Sequence, residues 1–153
     1  MKVIVAVVGR PRDAGLAAAI ESYEARAARY WPLEVHEVRE EPARSASPDL
    51  VRSREGERLA AKVKGADVVV CDEHGDRMTS AAFALFLQQA RERARDVAFV
   101  VGGAFGVAPA LRDAAVKQLA LAPWTLPHEM ARLVLAEQLY RAGTIVRGEP
   151  YHK

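Results

Sequence analysis

The stretch Val97-Ala98-Phe99-Val100-Val101-Gly102-Gly103-Ala104-Phe105-Gly106 decides how this chain folds. Its first five residues are apolar and mostly β-branched or aromatic, so they predict a strand with no polar face, covered on both sides. The glycines that follow at once end the strand and let backbone approach a neighbour or a ligand where a Cβ would intrude. Such a strand belongs inside a parallel sheet flanked by helices, and the sequence on either side supplies the other parts.

Upstream, Lys2–Val8 is a second buried strand, stopped by Gly9-Arg10-Pro11, and Val68–Cys71 is a third, followed by the loop Asp72-Glu73-His74-Gly75-Asp76. Between them, Leu16, Ile20, Tyr23, Ala27 and Tyr30 recur with the period of one helix face after Asp13, a helix N-cap, and Pro32 closes that helix. Leu33–Val38 reads as a short strand, and the polar, proline-bearing Arg39–Pro48 as a mobile loop. Ser47-Pro48 starts a helix reaching about Lys64, and Thr79 caps another that carries Phe83, Phe86, Leu87 and Ala90. Downstream come a helix from about Pro109 to Lys117, a short apolar Leu119–Ala122, the loop Pro123–Pro127 and a helix from about His128 to Ala142. The expectation is one α/β domain over residues 1–153 with a mainly parallel sheet and helices on both faces. In the last helix Ala131, Leu135, Leu139 and Ala142 form one apolar arc and Met130, Leu133, Val134 and Tyr140 another. Either this is the central core helix, or one side packs on its own domain and the other on a second chain.

Composition narrows the classes. The 22 basic and 20 acidic residues give a net charge of +2, and residues 1–66 and 67–153 are each close to balance, so neither half is a basic arm. A polyanionic partner is permitted without being demanded. The longest apolar runs fall far short of the ~18 residues of a membrane span, so no membrane association is expected. Cys71 is the single cysteine, which excludes an internal disulfide and fits a reducing, cytoplasmic setting. His36, His74, His128 and His152 have no metal-ligand spacing, and no metal is expected.

Ligands of open α/β sheets bind beyond the carboxyl ends of the strands. Three segments meet that description: Cys71-Asp72, Gly102–Gly106 and Leu121–Leu126. Taken alone, the glycine segment reads first as a tight strand-to-helix turn, since it is neither a dinucleotide fingerprint nor a P-loop. Glu137 and Arg141 are four apart, the spacing of a surface ion pair, or Arg141 offers a fixed cation to an anionic RNA group. The tail Gly148-Glu149-Pro150-Tyr151-His152-Lys153 carries a ring, an imidazole and a cation, yet a chain end on its own is read as disordered.

Together, Gly102-Gly103-Ala104-Phe105-Gly106, Thr125-Leu126-Pro127-His128, Arg132-Leu133-Val134-Leu135-Ala136-Glu137-Gln138-Leu139-Tyr140-Arg141-Ala142 and Pro150-Tyr151-His152-Lys153 resemble the RlmH (YbeA-like) family of SPOUT-class methyltransferases, with a match running from Met1 to Lys153. Members of that family methylate N3 of a pseudouridine in 23S ribosomal RNA. The resemblance implies a trefoil knot in the C-terminal part of the sheet, contrary to the usual un-knotted chain. It implies an S-adenosylmethionine pocket formed by Cys71, Asp72, Gly102, Gly103, Gly106, Leu121, Ala122, Pro123, Trp124, Thr125, Leu126 and Pro127, with Cys71, Trp124 and Leu126 walling the adenine. It implies a homodimer whose active site draws on both chains, with His152 as base, Arg141 stabilising the imide anion, Tyr151 as a positioning group and His128 in reserve. The implied partner is 23S rRNA within the assembled ribosome, held in part by arginines such as Arg10, Arg12 and Arg147. Three other readings keep much of this fold: a methyltransferase for another RNA base, a non-catalytic RNA- or nucleotide-binding module, and a flavodoxin-like carrier.

Overall fold

A computed structural model describes residues 1–44 and 46–153. Strands β1 (Val3–Val8), β2 (Leu33–Val38), β3 (Asp67–Arg77), β4 (Val97–Val101) and β5 (Lys117–Ala120) form a sheet in the order β2-β1-β4-β3-β5. Each neighbouring pair runs parallel. The crossovers are α1 (Ala14–Ala27), α2 (Pro48–Lys62), α3 (Ser80–Glu92) and α4 (Pro109–Ala114), and α5 (His128–Val146) follows β5.

Strand period two divides the core. Val3, Val5, Val7, Val97, Phe99 and Val101 face Ala27, Phe83, Leu87, Leu135 and Leu139, which places α1, α3 and α5 on one side of the sheet. Ile4, Ala6, Val8, Ala98 and Val100 face Leu59, Val63 and Leu111, which places α2 and α4 on the other. β1 and β4 are buried along their whole length because both of their faces are covered.

The helix starts follow side-chain chemistry: Asp13, Ser47 and Thr79 accept from the amides of Leu16, Leu50 and Ala82. Two boundaries differ from the sequence reading. β5 opens at Lys117, where the expected helix end becomes strand, because Lys117 and Gln118 pair with Val69 and Val70. Strand character in β3 continues through the expected loop to Arg77, but its ladder with β5 jumps from Cys71 to Asp76, both opposite Leu119. Residues 72–75 are therefore pushed out of the ladder as a bulge. The expected loop Arg39–Pro48 includes Ser45, which lies outside the described residues.

α5 is the central helix of its layer, and it extends past Ala142 to Val146. Leu135, Leu139 and Ala142 are buried, and the fully buried Trp31 donates from Nε1 to the Leu139 carbonyl at 2.9 Å. Arg132 is also buried, with Nε 2.8 Å from Glu24 and Nη1 2.8 Å from Glu37, so one guanidinium ties α5 to α1 and β2. Of the second arc, Tyr140 packs against this core, whereas Met130, Leu133 and Val134 are half-buried and belong to neither core. The central-helix alternative thus holds, with three apolar side chains of the second arc left half-exposed.

Candidate active site

The exits of β3, β4 and β5 lie at one edge of the sheet and enclose an open cavity of about 750 Å³. Eleven of the expected cofactor residues line it: Cys71, Asp72, Gly102, Gly103, Gly106, Leu121, Ala122, Trp124, Thr125, Leu126 and Pro127. Pro123 is exposed and stands outside the lining.

Local geometry explains why glycine recurs here. The chain after β4 curls back so that the Gly106 amide donates to the Gly103 carbonyl at 3.0 Å, with Gly106 at φ +82°. A Cβ on Gly102 would stand 2.5 Å from the Gly106 carbonyl carbon, so a side chain at 102 would force the curl open. At the rim Phe105 is 39% exposed and Trp124 78% exposed, large apolar faces flanking the mouth.

Polar side chains hold the other two loops. Asp72 accepts from the His74 amide at 2.8 Å and lies 3.1 Å from His74 Nδ1 and 3.7 Å from Arg112 Nη1. Arg112 donates from Nη2 to the Val107 carbonyl at 3.1 Å, bridging the bulge and the glycine loop. Thr125 donates to the Glu73 carboxylate and so latches the 121–127 loop to the bulge. Burial, helped by the Asp72 carboxylate, pushes the Cys71 thiol up to about 12, so it is a protonated packing group and no nucleophile. Sequence reasoning missed Arg52, Glu73 and Arg112 as parts of this site. For Glu73 its place beside Asp72 was a usable signal, but Arg52 and Arg112 sit in helices where nothing marks an arginine that turns toward a loop.

The expected catalytic residues also come together, but elsewhere. Arg141 reaches Glu137 Oε1 through Nε at 3.0 Å and Nη2 at 2.7 Å, and its Nη1 lies 3.2 Å from His152 Nδ1. Its guanidinium stands 4.8 Å from the centre of the Tyr151 ring, and the Tyr151 hydroxyl donates to Glu137 at 3.1 Å. The tail is ordered, against its reading in isolation: the Glu149 amide donates to the Thr144 carbonyl, Tyr30 donates to the Glu149 carboxylate at 2.5 Å, and the Tyr140 ring packs tilted against that of Tyr151, centroids 4.6 Å apart. Burial, with hydrogen bonding to Tyr23 and Glu137, pushes Tyr151 up to about 12 and keeps its phenol neutral. The ion-pair reading of Arg141 holds, since it pairs with Glu137, and its remaining edge is turned to His152.

None of Glu137, Arg141, Tyr151 or His152 lines the cavity of the same chain. His128, the reserve candidate, does line it, at the start of α5. From His128 to Arg141 the helix advances ~20 Å and turns through ~220°, so the tail cluster lies at the far end and on another side. Among the described residues no group of three or more His, Cys, Asp or Glu is placed to hold a metal ion, and no helix is long and apolar enough to cross a membrane.

Comparison with known proteins agrees with this architecture. The family model described as predicted SPOUT methyltransferase matches residues 1–152. A ribosomal RNA large subunit methyltransferase H from Gemmatimonas aurantiaca is 64% identical over 154 residues, covering 100% of both chains. A protein of the same description from Anaeromyxobacter sp. (strain K) is 47% identical, again over 100% of both. Among solved structures, a probable methylase family protein from Haemophilus influenzae Rd KW20 superposes with a TM-score of 0.55 at 11% identity, covering 99% of this chain and 70% of that one, a likeness of fold. With that sheet, that rim and those relatives, the chain belongs to the SPOUT methyltransferase family.

Proposed function

We propose that this protein transfers a methyl group from S-adenosylmethionine to N3 of a pseudouridine in 23S rRNA of the assembled ribosome, and does so as a homodimer. One observation carries the reading: the exits of three strands close on a single cavity, while the titratable cluster that could act on a nucleobase stands ~20 Å along α5 from it. A second copy of the chain resolves that separation by bringing its tail to the first copy's cavity. The half-exposed arc of Met130, Leu133 and Val134, with Trp124 and Phe105 at the mouth, supplies apolar surface for such a contact. The same reading treats residues 1–153 as one catalytic unit with a trefoil knot in its C-terminal part, at work in the cytoplasm where ribosomes are.

The cavity fits the donor. A volume of about 750 Å³ suits a nucleoside-sized ligand. Its walls offer glycine backbone and apolar side chains, and the two arginines of the lining, Arg52 and Arg112, are turned to the Phe105 and Val107 carbonyls. Gly102 and Gly103 have no room for a Cβ, which would meet the Gly106 backbone and the Glu55 carboxyl behind the loop, so the tight curl brings their backbone to the cavity as donor and acceptor for adenine and ribose. When bound, S-adenosylmethionine supplies a methyl carbon already activated by its sulfonium.

The residues of the chain then have to orient the base and handle the N3 proton. Arg141 is a permanent cation and donates toward His152 Nδ1, which fixes the neutral imidazole with its proton on Nε2. His152 accepts the N3 proton at Nδ1 once Arg141 turns from that lone pair to the developing imide anion. Glu137 holds the other edge of Arg141, and Tyr151, neutral and donating to Glu137, keeps the pair in register.

Ribosomes from a strain lacking the modification, incubated with the protein and labelled donor, test this directly. Label should appear at N3 of a pseudouridine by mass spectrometry, with far less on free 23S rRNA, because a chain without a basic arm has little surface for naked RNA. Label on a different base overturns the target, and equal labelling of free RNA overturns the ribosomal requirement.

A further inference from the structure

Behind the glycine loop lies a carboxyl group that the chemistry above leaves unused. Glu55, on the third turn of α2, is 3% exposed. Its Oε2 accepts from the Glu41 amide at 3.1 Å, and its Oε1 has no hydrogen-bond partner among the described residues. A Cβ on Gly103 would meet that same Oε1 at 2.8 Å, so the orphan oxygen packs against the back of a loop whose front lines the cavity. Arg52, three residues earlier on α2, grips the loop from the same side by donating to the Phe105 carbonyl at 3.2 Å.

An ionised carboxylate with a bare oxygen is strongly disfavoured in such a place. Burial holds the Glu55 carboxyl above the ordinary carboxylate range; the Glu41 amide and Arg58 oppose this, while Glu40 and Glu41 reinforce it. The cations that could compensate are engaged: Arg54 and Arg58 bind the Glu41 carboxylate, and Arg52 is shared between Phe105 and Asp49. Neither β1 nor the segment 102–111 contributes a titratable side chain, and beyond them Arg112 on α4 is turned to Val107 and Asp72.

We infer that Glu55 is kept as the neutral acid and is the positioning residue of the 102–106 loop, so that donor binding is linked to retention of its proton. This rests on the reading of the cavity as the methyl-donor site. The neutral acid fits the dry contact behind Gly103. The anion competes for Arg52, or draws water behind Gly103, and either change loosens the curl that shapes the front of the loop. When Glu55 ionises its proton goes to solvent, so affinity falls as pH rises.

The test is calorimetry of S-adenosylmethionine binding to the full chain and to Glu55→Gln, whose amide copies the shape and neutrality of the protonated acid, from about pH 5 to about pH 9. Every other group of the cavity is common to both proteins, so the ratio of the wild-type affinity to that of the variant isolates residue 55. That ratio is expected to fall with rising pH, by about tenfold for each unit by which the donor raises the Glu55 pKa. Parallel profiles overturn the inference and leave the cavity reading intact, and so does a ratio that climbs with pH, the mark of an anion attracting the sulfonium. Absence of binding in both proteins at every pH overturns the cavity reading and this inference together. Should the variant not fold, carbon-13 titration of the Glu55 carboxyl decides: its midpoint must rise on adding S-adenosylmethionine, and an unmoved midpoint overturns the inference.

Discussion

At one end of α5, His128 and Ala131 face a cavity of backbone, glycine and apolar walls; at the other, Glu137, Arg141, Tyr151 and His152 gather charge and proton-exchanging groups with no cavity before them. The first region is built by loops from adjacent strands and is complete within one chain. The second is a set of side chains held in fixed relation by Glu137 and by the stacked tail. In the proposed dimer the two are halves of one reaction centre, set apart along a helix of 19 residues. A binding pocket can be made by topology alone, whereas a proton-transfer cluster must be carried to it, by a second copy in the proposed dimer.

The sharpest way to break this contrast is to remove the cluster and watch the pocket. Arg141→Ala and His152→Ala are each expected to slow single-turnover methyl transfer to ribosomes by about 10²–10⁴-fold while donor affinity stays within about twofold. A parallel loss of donor affinity would mean that the cluster serves the cavity of its own chain. Mixing separates the chains directly. Gly102→Val should abolish donor binding, since its Cβ meets the Gly106 backbone. Exchanged one to one with Arg141→Ala chains, it should restore about a quarter of wild-type activity, because half of the dimers are mixed and each has one intact composite site. No recovery at all would place both halves of the centre in the same chain.

Arg132 sharpens the comparison from the scaffold side, since it fixes α5 against α1 and β2 between the two regions. Arg132→Ala leaves Glu24 and Glu37 without their shared cation and is expected to lower stability by about 3 kcal/mol, the low end for a broken buried pair because both carboxylates keep some water. Thermal or urea unfolding measures it. A loss under about 1 kcal/mol would show that packing of Leu135, Leu139 and Trp31 alone sets the helix.

The same contrast explains what could be read in the chain and what could not. The alternation of Val3–Val8 and Val97–Val101 with helical segments fixes a parallel sheet, and Asp13, Ser47 and Thr79 mark their helices because capping is local chemistry. Gly102 and Gly103 could be picked out because a missing Cβ is visible in sequence. Strand order was not legible, since the place of β5 beside β3 depends on long-range pairing. Nor was the roughly 20 Å between cavity and tail, or the burial of Glu55 and Arg132, whose charges in sequence suggest solvent. The order of the tail escaped for the same reason: its anchors, Tyr30 on one side and Glu137 on the other, lie far from Glu149 and Tyr151 in the chain.

The smallest effect concerns those anchors. Tyr151 has a folded-state pKa raised to about 12, above the ordinary tyrosine value of ~10, so its docking contribution is fully present below that ordinary range and is lost as pH rises through the folded value. Its cause is burial first and hydrogen bonding to Tyr23 and Glu137 second, and both vanish if the tail frays. Subtracting the phenolate absorbance of Tyr151→Phe from that of the wild type should therefore leave one titration near about 12. At neutral pH the variant should lose the hydroxyl's hydrogen bonds to Glu137 and Tyr23, about 0.5–1.5 kcal/mol each, with the ring still packed against Tyr140. A difference curve centred near ~10 would mean an undocked tail in the free chain, and the cluster would then be assembled only on meeting its partner.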